Sequence, residues 1–169
     1  DKPVTVRVVV DAGLTGRRVM RLDSDGGTGL EWTTHSEAVL VPDDVPPARL
    51  DLDAIAARCG LDGIDPMGSA REHLQLGEQW SIEANARLGD GESFGIIGHQ
   101  TAAGIDGGWL VHPALVDVAT GFGILLTRPE AARQLHVPIG YDTVCWSAPV
   151  SAGCAVHATR RPDSTDDLL

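Results

Sequence analysis

Asp117 is the residue of this sequence whose type and position most clearly suggest chemistry. It lies in the segment His112-Pro113-Ala114-Leu115-Val116-Asp117, one turn inside a predicted helix that opens on Pro113. Proline fits the first helical position because the N–H that it lacks would be unpaired there. The residues that recur after it at helical spacing are apolar: Leu115, Val118, Ala119, Phe122, Leu125 and Leu126. An acid among such residues either is satisfied by a structural partner or serves in proton transfer.

Three further residues have both a structural and a functional interpretation. His112 precedes a proline, which favours an extended backbone, so it either ends a loop or contacts a ligand. Trp80 falls on an alternating apolar pattern and is either a core residue of a strand or a ligand platform. Glu78 is either an acid beside Asp117 or, as most glutamates are, a solvated side chain.

The elements that must position these residues begin with a predicted β-meander. Val4, Val6, Val8 and Val10 alternate with other residues, which predicts a strand with one buried face. Residues 17–22 predict a second strand, and residues 30–40 predict a third. The proline-containing segment 42–47 is the best candidate for a boundary.

A second set of elements surrounds the helix that carries Asp117. Residues 51–59 predict a short helix, and residues 60–71 an irregular connector. Strands are predicted at 80–88, 94–99, 141–148 and 154–159, with a flexible loop at 102–108. Antiparallel strands around a hydrophobic helix are typical of an α+β fold.

Composition excludes several classes of partner. The chain has 169 residues, 43% of them hydrophobic, and a net charge of -11. Such acidity argues against nucleic acid and against an anionic membrane, which both bind positive charge. No apolar run approaches the roughly 18 residues that span a bilayer. Cys59, Cys145 and Cys154 have no zinc-binding spacing, and reduced thiols in the cytoplasm are expected.

The segment from His112 to Asp117 resembles the HPALLDA motif of the dehydratase domains of modular polyketide synthases. Three further segments agree with that family in order. Leu52 to Cys59 is similar to the helix that links the two halves of the domain. Leu76-Gly77-Glu78-Gln79-Trp80 takes the place of the family's YGPxF or FGPxW motif, and Val137-Pro138-Ile139-Gly140-Tyr141 resembles its LPFSW or VPFSY entry to a strand.

This resemblance implies a double hotdog fold, in which each half curls an antiparallel sheet around one helix. It divides the chain into a remnant of the first hotdog (1–47), a linker with a short helix (48–75) and a more complete second hotdog (76–169). The missing first helix and last strands suggest an internal piece of a longer polypeptide.

The resemblance also implies a hydro-lyase that removes water from a 3-hydroxyacyl thioester. The thioester would be carried on the phosphopantetheine of an acyl carrier protein, with no cofactor in the domain itself. Asp117 would be the catalytic acid, and the substrate-binding residues would come from the matched motifs: His112, Pro113, Gly121, Leu76 and Trp80. Neighbouring synthase domains are expected partners, and a homodimer stays open.

Three departures from the family pattern leave alternatives open. Gly121 stands where the family has glutamine or histidine, and it provides either room for a pantetheine arm or close packing. Leu76 replaces the motif's tyrosine and Glu78 its proline. No histidine here has the HxxxGxxxxP context of the family's base, which is expected outside this sequence. An inactive structural or dimerising module is one alternative; isomerisation, cyclisation or thioester cleavage at the same site is another.

Overall fold

The protein forms two compact units, Asp1–Pro46 and Pro47–Leu169. The computed structural model describes residues 4–13, 16–27, 31–42, 46–98, 108–127, 134–151 and 153–162. Every helix among these residues is too short or too polar to span a lipid bilayer. None of the three cysteines is in a disulfide: Cys59 is buried, Cys145 exposed and Cys154 partly buried.

The first unit contains an antiparallel sheet of three strands in the order β1 (Thr5–Ala12), β2 (Arg18–Asp25) and β3 (Trp32–Leu40). The three strands expected from the sequence are present. The expected burial of the β1 valines is wrong, because Val6 and Val8 are 59% and 61% exposed. The described residues of this unit form only the three strands, so no helix of theirs covers the valine face.

The opposite face of this sheet is held by a polar cluster. Nε of Arg7 donates to Oδ2 of Asp23 at 3.0 Å, and the hydroxyl of Thr34 donates to Oδ1 at 2.9 Å. The Arg7 guanidinium also lies 3.8 Å from the centre of the Trp32 ring, a cation–π contact. Hydrogen bonds from Thr34 and then Arg7 hold the pKa of Asp23 below its ordinary value.

In its described residues, the second unit combines a four-stranded antiparallel sheet with three helices. The strands lie in the order β4 (Leu61–Ile64), β5 (Ala84–Leu88), β6 (Glu92–Ile97) and β7 (Ala155–Thr159). The helices are α1 (Leu52–Arg58), α2 (Gly68–His73) and α3 (Pro113–Ile124), and a 3₁₀ turn spans Glu78–Trp80. This arrangement confirms the α+β class.

Helix α3 packs on one face of this sheet and forms the main core. Its buried residues Leu115, Val118 and Phe122 pack with Ile82, which precedes β5, and with core residues of the strands such as Ala86 and Ile97. Gly95 of β6 permits the approach, because an added Cβ there would lie 2.8 Å from the Phe122 ring. The buried hydroxyl of Ser93 donates to the Phe122 carbonyl at 2.8 Å and fixes the helix along the strand.

Helix α1 packs on the other face of the sheet. Asp51 caps it by accepting the N–H of Ala54 at 3.0 Å, and Ile55 packs with Phe94 of β6. Since successive residues of a strand point to opposite faces, Phe94 faces α1 whereas Ser93 faces α3. An ion-pair cluster of Arg58, Glu92 and His157 extends the α1 interface.

Three local expectations for this unit are wrong. The expected connector at 60–71 contains β4 and most of α2. Trp80 belongs to a 3₁₀ turn rather than to a strand, which begins at Ala84. Residues 141–148 form no strand, because no described strand pairs with them. The segment that follows them makes one isolated bridge, between Val111 and Val150. The expected loop at 102–108 lies almost entirely outside the described residues.

Candidate active site

The start of α3 determines where Asp117 lies. His112 caps the helix by accepting the N–H of Ala114 on its Nδ1 at 3.2 Å, and Pro113 follows at the first helical position. The buried face of α3 then takes Leu115 and Val118 toward the sheet. Asp117, which is only partly buried, lies on the side of the helix that faces the 3₁₀ turn.

Trp80 is the direct partner of this carboxylate. Its indole Nε1–H donates to Oδ2 of Asp117 at 2.7 Å. The main chain around Trp80 is fixed by Arg71, whose guanidinium donates to the carbonyls of Trp80 at 3.3 Å and Ile82 at 2.9 Å. Both the acid and its donor are therefore held by helical structure, α3 and the 3₁₀ turn.

Asp117 lines a cavity of about 360 Å³ within the second unit. Most of the lining side chains are apolar, among them Met67, Leu74, Leu76, Ile124, Leu135 and Val137. The polar ones are Asp65, Ser69, Asp117, Thr120, Gln134 and His136. A concave, mostly apolar cavity with a few convergent polar groups is the usual form of a small-molecule site.

Asp65 is committed to structure within this cavity. Its Oδ2 accepts from Nε of Arg71 at 3.1 Å, and its Oδ1 accepts the N–H of Met67 at 2.8 Å. The arginine compensates the charge of this carboxylate, so Asp65 is a poor candidate for proton transfer. Asp117 and His136 are then the remaining titratable side chains among the described lining residues.

Thr120 lies one helical turn after Asp117 and also lines the cavity. Its hydroxyl donates to the Val116 carbonyl at 2.9 Å, and the Tyr141 hydroxyl lies 3.0 Å from the same oxygen. Because the Thr120 proton is used on Val116, the Tyr141 hydroxyl donates in this pair. This bond ties the segment after Pro138 to α3.

The six residues singled out from the sequence divide into two groups. Asp117, Leu76 and Trp80 line one cavity, although their part in substrate binding stays a prediction. His112, Pro113 and Gly121 are not among its lining residues.

The structure gives each residue of the second group a packing or capping position. His112 is 8% exposed and caps α3, and its ring meets that of Trp109 edge to face at 5.4 Å. At Gly121 an added Cβ would lie 2.5 Å from the Pro66 carbonyl oxygen. Close packing therefore explains this glycine, and a pantetheine arm is not needed to account for it.

Sequence reasoning missed His136 and Thr120 as members of the cavity. His136 stands two residues before Pro138, at the edge of a segment that was interpreted as the entry to a strand. Thr120 lies three residues after Asp117, a spacing that places two side chains on the same side of a helix. That spacing was the available signal for Thr120.

Known protein structures share this architecture. No protein-family model matches the sequence, and no curated protein matches it. Solved structures do match, and three of them are dehydratase domains or variants from polyketide assembly lines.

The dehydratase domain from the CurF module of the curacin polyketide synthase aligns with a TM-score of 0.72 and 18% identity, over 94% of this chain and 58% of that one. An inactive variant of the CurK dehydratase aligns with a TM-score of 0.75 and 20% identity, over 95% and 60%. An N-terminal dehydratase from the difficidin assembly line aligns with a TM-score of 0.69 and 18% identity, over 90% of this chain and 55% of that one.

The chain therefore has the hotdog fold of polyketide synthase dehydratase domains, and the resemblance found in its sequence motifs is confirmed at the level of fold. It spans about 60% or less of the length of these three structures.

Proposed function

We propose that this chain is a dehydratase-type domain of a modular polyketide synthase. It would eliminate water from a 3-hydroxyacyl thioester held on the phosphopantetheine of an acyl carrier protein. The observation that carries this proposal is the carboxyl group of Asp117, which lines an apolar cavity and is held there by Trp80. The shared fold supports the same assignment.

Dehydration of such a thioester needs two proton transfers. A base removes a proton from C2, and an acid protonates the hydroxyl that leaves C3. Asp117 is suited to the second step, because one carboxyl oxygen accepts the Trp80 N–H while the other can carry the proton to be donated. The Trp80 hydrogen bond fixes the carboxyl group in one orientation, which keeps that proton directed at the cavity.

The replaced residues of the family motif change the cavity without removing the acid. Leu76 lines the cavity with an apolar side chain where the resemblance implies a tyrosine. Glu78 is exposed and is not a lining residue, so it adds no second acid beside Asp117. Leu76 supplies no hydroxyl to the leaving group, and the Thr120 hydroxyl in the same cavity already donates to the Val116 carbonyl.

The partners follow from the way in which the substrate is delivered. An acyl carrier protein in the same assembly needs only a weak interface, because tethering supplies an effective concentration of about millimolar. The matched structures belong to multidomain synthases, so neighbouring synthase domains are the expected contacts. The expected compartment is the cytoplasm, and no cofactor is required for the elimination.

The direct test is incubation of the complete domain that contains this chain with a 3-hydroxyacyl carrier protein, followed by mass measurement of the carrier. With wild type, the loaded carrier should lose the mass of one water molecule. Asp117→Asn should slow this elimination by about 100-fold to 10,000-fold because the proton donor is lost. Asp90→Asn is the matched control, since Asp90 is an exposed acid in the turn between β5 and β6.

Other outcomes distinguish the alternatives. A carrier whose mass and acyl chain are both unchanged by wild type, in a sample that is folded, contradicts elimination and favours a structural or dimerising module. Release of the acyl chain indicates thioester cleavage. A product of unchanged mass but altered double-bond position or ring content indicates isomerisation or cyclisation.

A further inference from the structure

The three nitrogens of the Arg71 guanidinium link Asp65 to the turn that carries Trp80. Nε of Arg71 donates to Oδ2 of Asp65 at 3.1 Å. Its Nη1 and Nη2 donate to the carbonyls of Trp80 at 3.3 Å and Ile82 at 2.9 Å. Trp80 in turn donates through its indole to Oδ2 of Asp117. We propose that Arg71 is a positioning residue, which orients the Asp117 carboxyl group through the main chain of Trp80, an inference that rests on the proposed function.

The turn that carries Trp80 needs support from outside itself. It spans only Glu78–Trp80, and 3₁₀ turns have poorer hydrogen-bond geometry than an α-helix. Residues 81–83, which follow it, belong to no helix or strand. Arg71 binds the carbonyl at the end of the turn and that of Ile82, whose side chain is buried in the core. The guanidinium therefore fixes the main chain directly after the indole, and with it the direction of the indole N–H.

Asp65 and α2 hold the guanidinium itself in place. Oδ1 of Asp65 accepts the N–H of Met67 at 2.8 Å, so this carboxylate is fixed to the start of α2. Arg71 lies within α2, where its backbone N–H donates to the Met67 carbonyl at 2.9 Å. A guanidinium is planar and presents its N–H groups in a fixed fork, so a bond at Nε determines where the other two nitrogens point. The contacts thus run from Asp65 through Arg71 and Trp80 to Asp117.

The ion pair of Arg71 and Asp65 is too exposed to explain this arrangement by charge alone. The two side chains are 36% and 45% exposed, and ion pairs in contact with water contribute little to the free energy of unfolding. The bonds to the two carbonyls are directional, and the one to Ile82 is partly buried. What distinguishes Arg71 is therefore the geometry of its fork, which a lysine of the same charge would not reproduce.

The kinetic test uses the complete domain that contains this chain and a carrier-bound 3-hydroxyacyl substrate. Arg71→Gln should lower kcat by about two- to tenfold with KM little changed, because it acts through one hydrogen bond of ordinary strength, that from Trp80 to Asp117. Arg71→Lys should lower kcat to a similar extent, because one ammonium group keeps the charge beside Asp65 but cannot also hold two carbonyls. This variant carries the test if Arg71→Gln does not fold.

Arg58→Gln is the matched control. Arg58 also forms an ion pair with a glutamate, Glu92, but it belongs to α1 and is not among the residues that line the cavity. Its replacement should lower the free energy of unfolding and leave kcat unchanged. Circular dichroism checks that each variant is folded.

A double-mutant cycle separates positioning from a general loss of structure. If Arg71 acts through the Trp80 N–H, Arg71→Gln should change kcat by less than about twofold in a protein that already carries Trp80→Phe. The free energy of unfolding should fall by the same amount in both backgrounds, since the same carbonyl bonds are lost in each. A purely structural role predicts equal fold-changes of kcat with and without the indole N–H.

The indole N–H resonance of Trp80 reports the hydrogen bond without any need for activity. In protein labelled with isotopic tryptophan, Trp80→Phe identifies this signal by its loss. The signal should move in Asp117→Asn, which removes the charge of the acceptor, and in Arg71→Gln, which releases the donor. It should keep its position in Arg58→Gln.

These results distinguish failure of this inference from failure of the proposed function. If wild type eliminates water, the role of Arg71 is overturned by any of three findings: a wild-type kcat in either Arg71 variant, an effect that adds in full to that of Trp80→Phe, or an indole signal that does not move. The proposed function then stands. If folded wild type eliminates no water, the proposed function fails, and Arg71 positions no catalytic acid even where the signal moves as expected.

Discussion

The indole N–H of Trp80 donates a 2.7 Å hydrogen bond to the Asp117 carboxyl group, across 37 residues of sequence. The two residues come from different elements, a 3₁₀ turn and α3, which meet only in the folded second unit. Because Trp80 binds one carboxyl oxygen, it restricts the rotation of the carboxyl group beside the cavity. The orientation of the proposed acid therefore depends on the position of a turn that packs beside it.

Trp80→Phe should lower kcat with little loss of stability. Phenylalanine keeps an aromatic ring in the cavity wall but removes the N–H, so the carboxyl group of Asp117 loses its orientation. A hydrogen bond of this kind contributes about 0.5–1.5 kcal/mol, which corresponds to a decrease of roughly two- to tenfold. Elimination kinetics with a carrier-bound substrate measure the effect.

Trp146→Phe is the control for this substitution, because Trp146 is 52% exposed and lies outside the cavity. It should leave kcat unchanged. Equal rates for Trp80→Phe and wild type would show that the hydrogen bond does not orient the acid.

Two glycines of α3 should respond in opposite directions to alanine. At Gly121 the new Cβ would lie 2.5 Å from the Pro66 carbonyl oxygen, a backbone atom that cannot move aside cheaply. Gly121→Ala should therefore lower the free energy of unfolding by about 1–3 kcal/mol. At Gly123 an added Cβ meets no atom within 4 Å. Gly123→Ala should therefore raise the free energy of unfolding by up to about 1 kcal/mol, because alanine has the higher helix propensity.

Denaturant unfolding of both variants measures this contrast, and each serves as the control for the other. A stabilised Gly121→Ala would mean that Pro66 gives way, and that the close approach of the β4–α2 connection to α3 is not required.

Much of α3 could be predicted from the sequence because its signals are local. Pro113 marks its first position, and the apolar spacing after it continues to Phe122. Both signals depend on residues within one element. Burial of one face then follows from the spacing, and the structure has Leu115 and Val118 essentially without exposure.

The partner of Asp117 could not be predicted in the same way. Trp80 continues an alternating pattern with Ile82 and Ala84, which indicated a strand. In the structure Arg71 holds the carbonyls of Trp80 and Ile82, and Trp80 takes part in a 3₁₀ turn instead. That arginine lies nine residues before Trp80, and the turn depends on a contact that no periodicity reveals.

The β1 valines illustrate a different limit. Alternation predicts a strand correctly, but it shows only that one face is apolar and not that anything covers it. Val6 and Val8 are both more than half exposed, although their strand forms as expected. Similarly, His136 lines the cavity although its segment forms no strand. The position of this segment depends on hydrogen bonds to α2 and α3.

Chemical modification should show one fast-reacting thiol among the three cysteines. Burial raises the pKa of the Cys59 and Cys154 thiols, which lowers the fraction present as the reactive thiolate. Cys145 is exposed. A thiol reagent at neutral pH should therefore modify Cys145 about tenfold or more faster than the other two. Cys145→Ala should abolish the fast phase, and a fast phase that persists would show that Cys59 or Cys154 opens to solvent.

Glu92 should make the stability of the second unit depend on pH in acid. Its Oε1 and Oε2 accept from the Arg58 guanidinium at 2.7 and 2.9 Å, and Nε2 of His157 lies 2.9 Å from Oε2. The Arg58 hydrogen bonds, followed by that of His157, lower the pKa of Glu92 from 4.5 to about 2. Protons therefore bind the unfolded chain more tightly than the folded one.

For a carboxyl group whose pKa is lowered by folding, the stabilisation is complete above the ordinary value and is lost as the pH falls through the folded value. The difference in free energy of unfolding between wild type and Glu92→Gln should thus be constant above about pH 4.5 and shrink toward pH 2. Glu83→Gln, at an exposed glutamate just before β5, is the control and should follow wild type throughout. Urea unfolding at several pH values measures all three proteins. A wild-type advantage over Glu92→Gln that stays constant down to pH 2 would mean that Arg58 and His157 do not hold Glu92 in its ionised form.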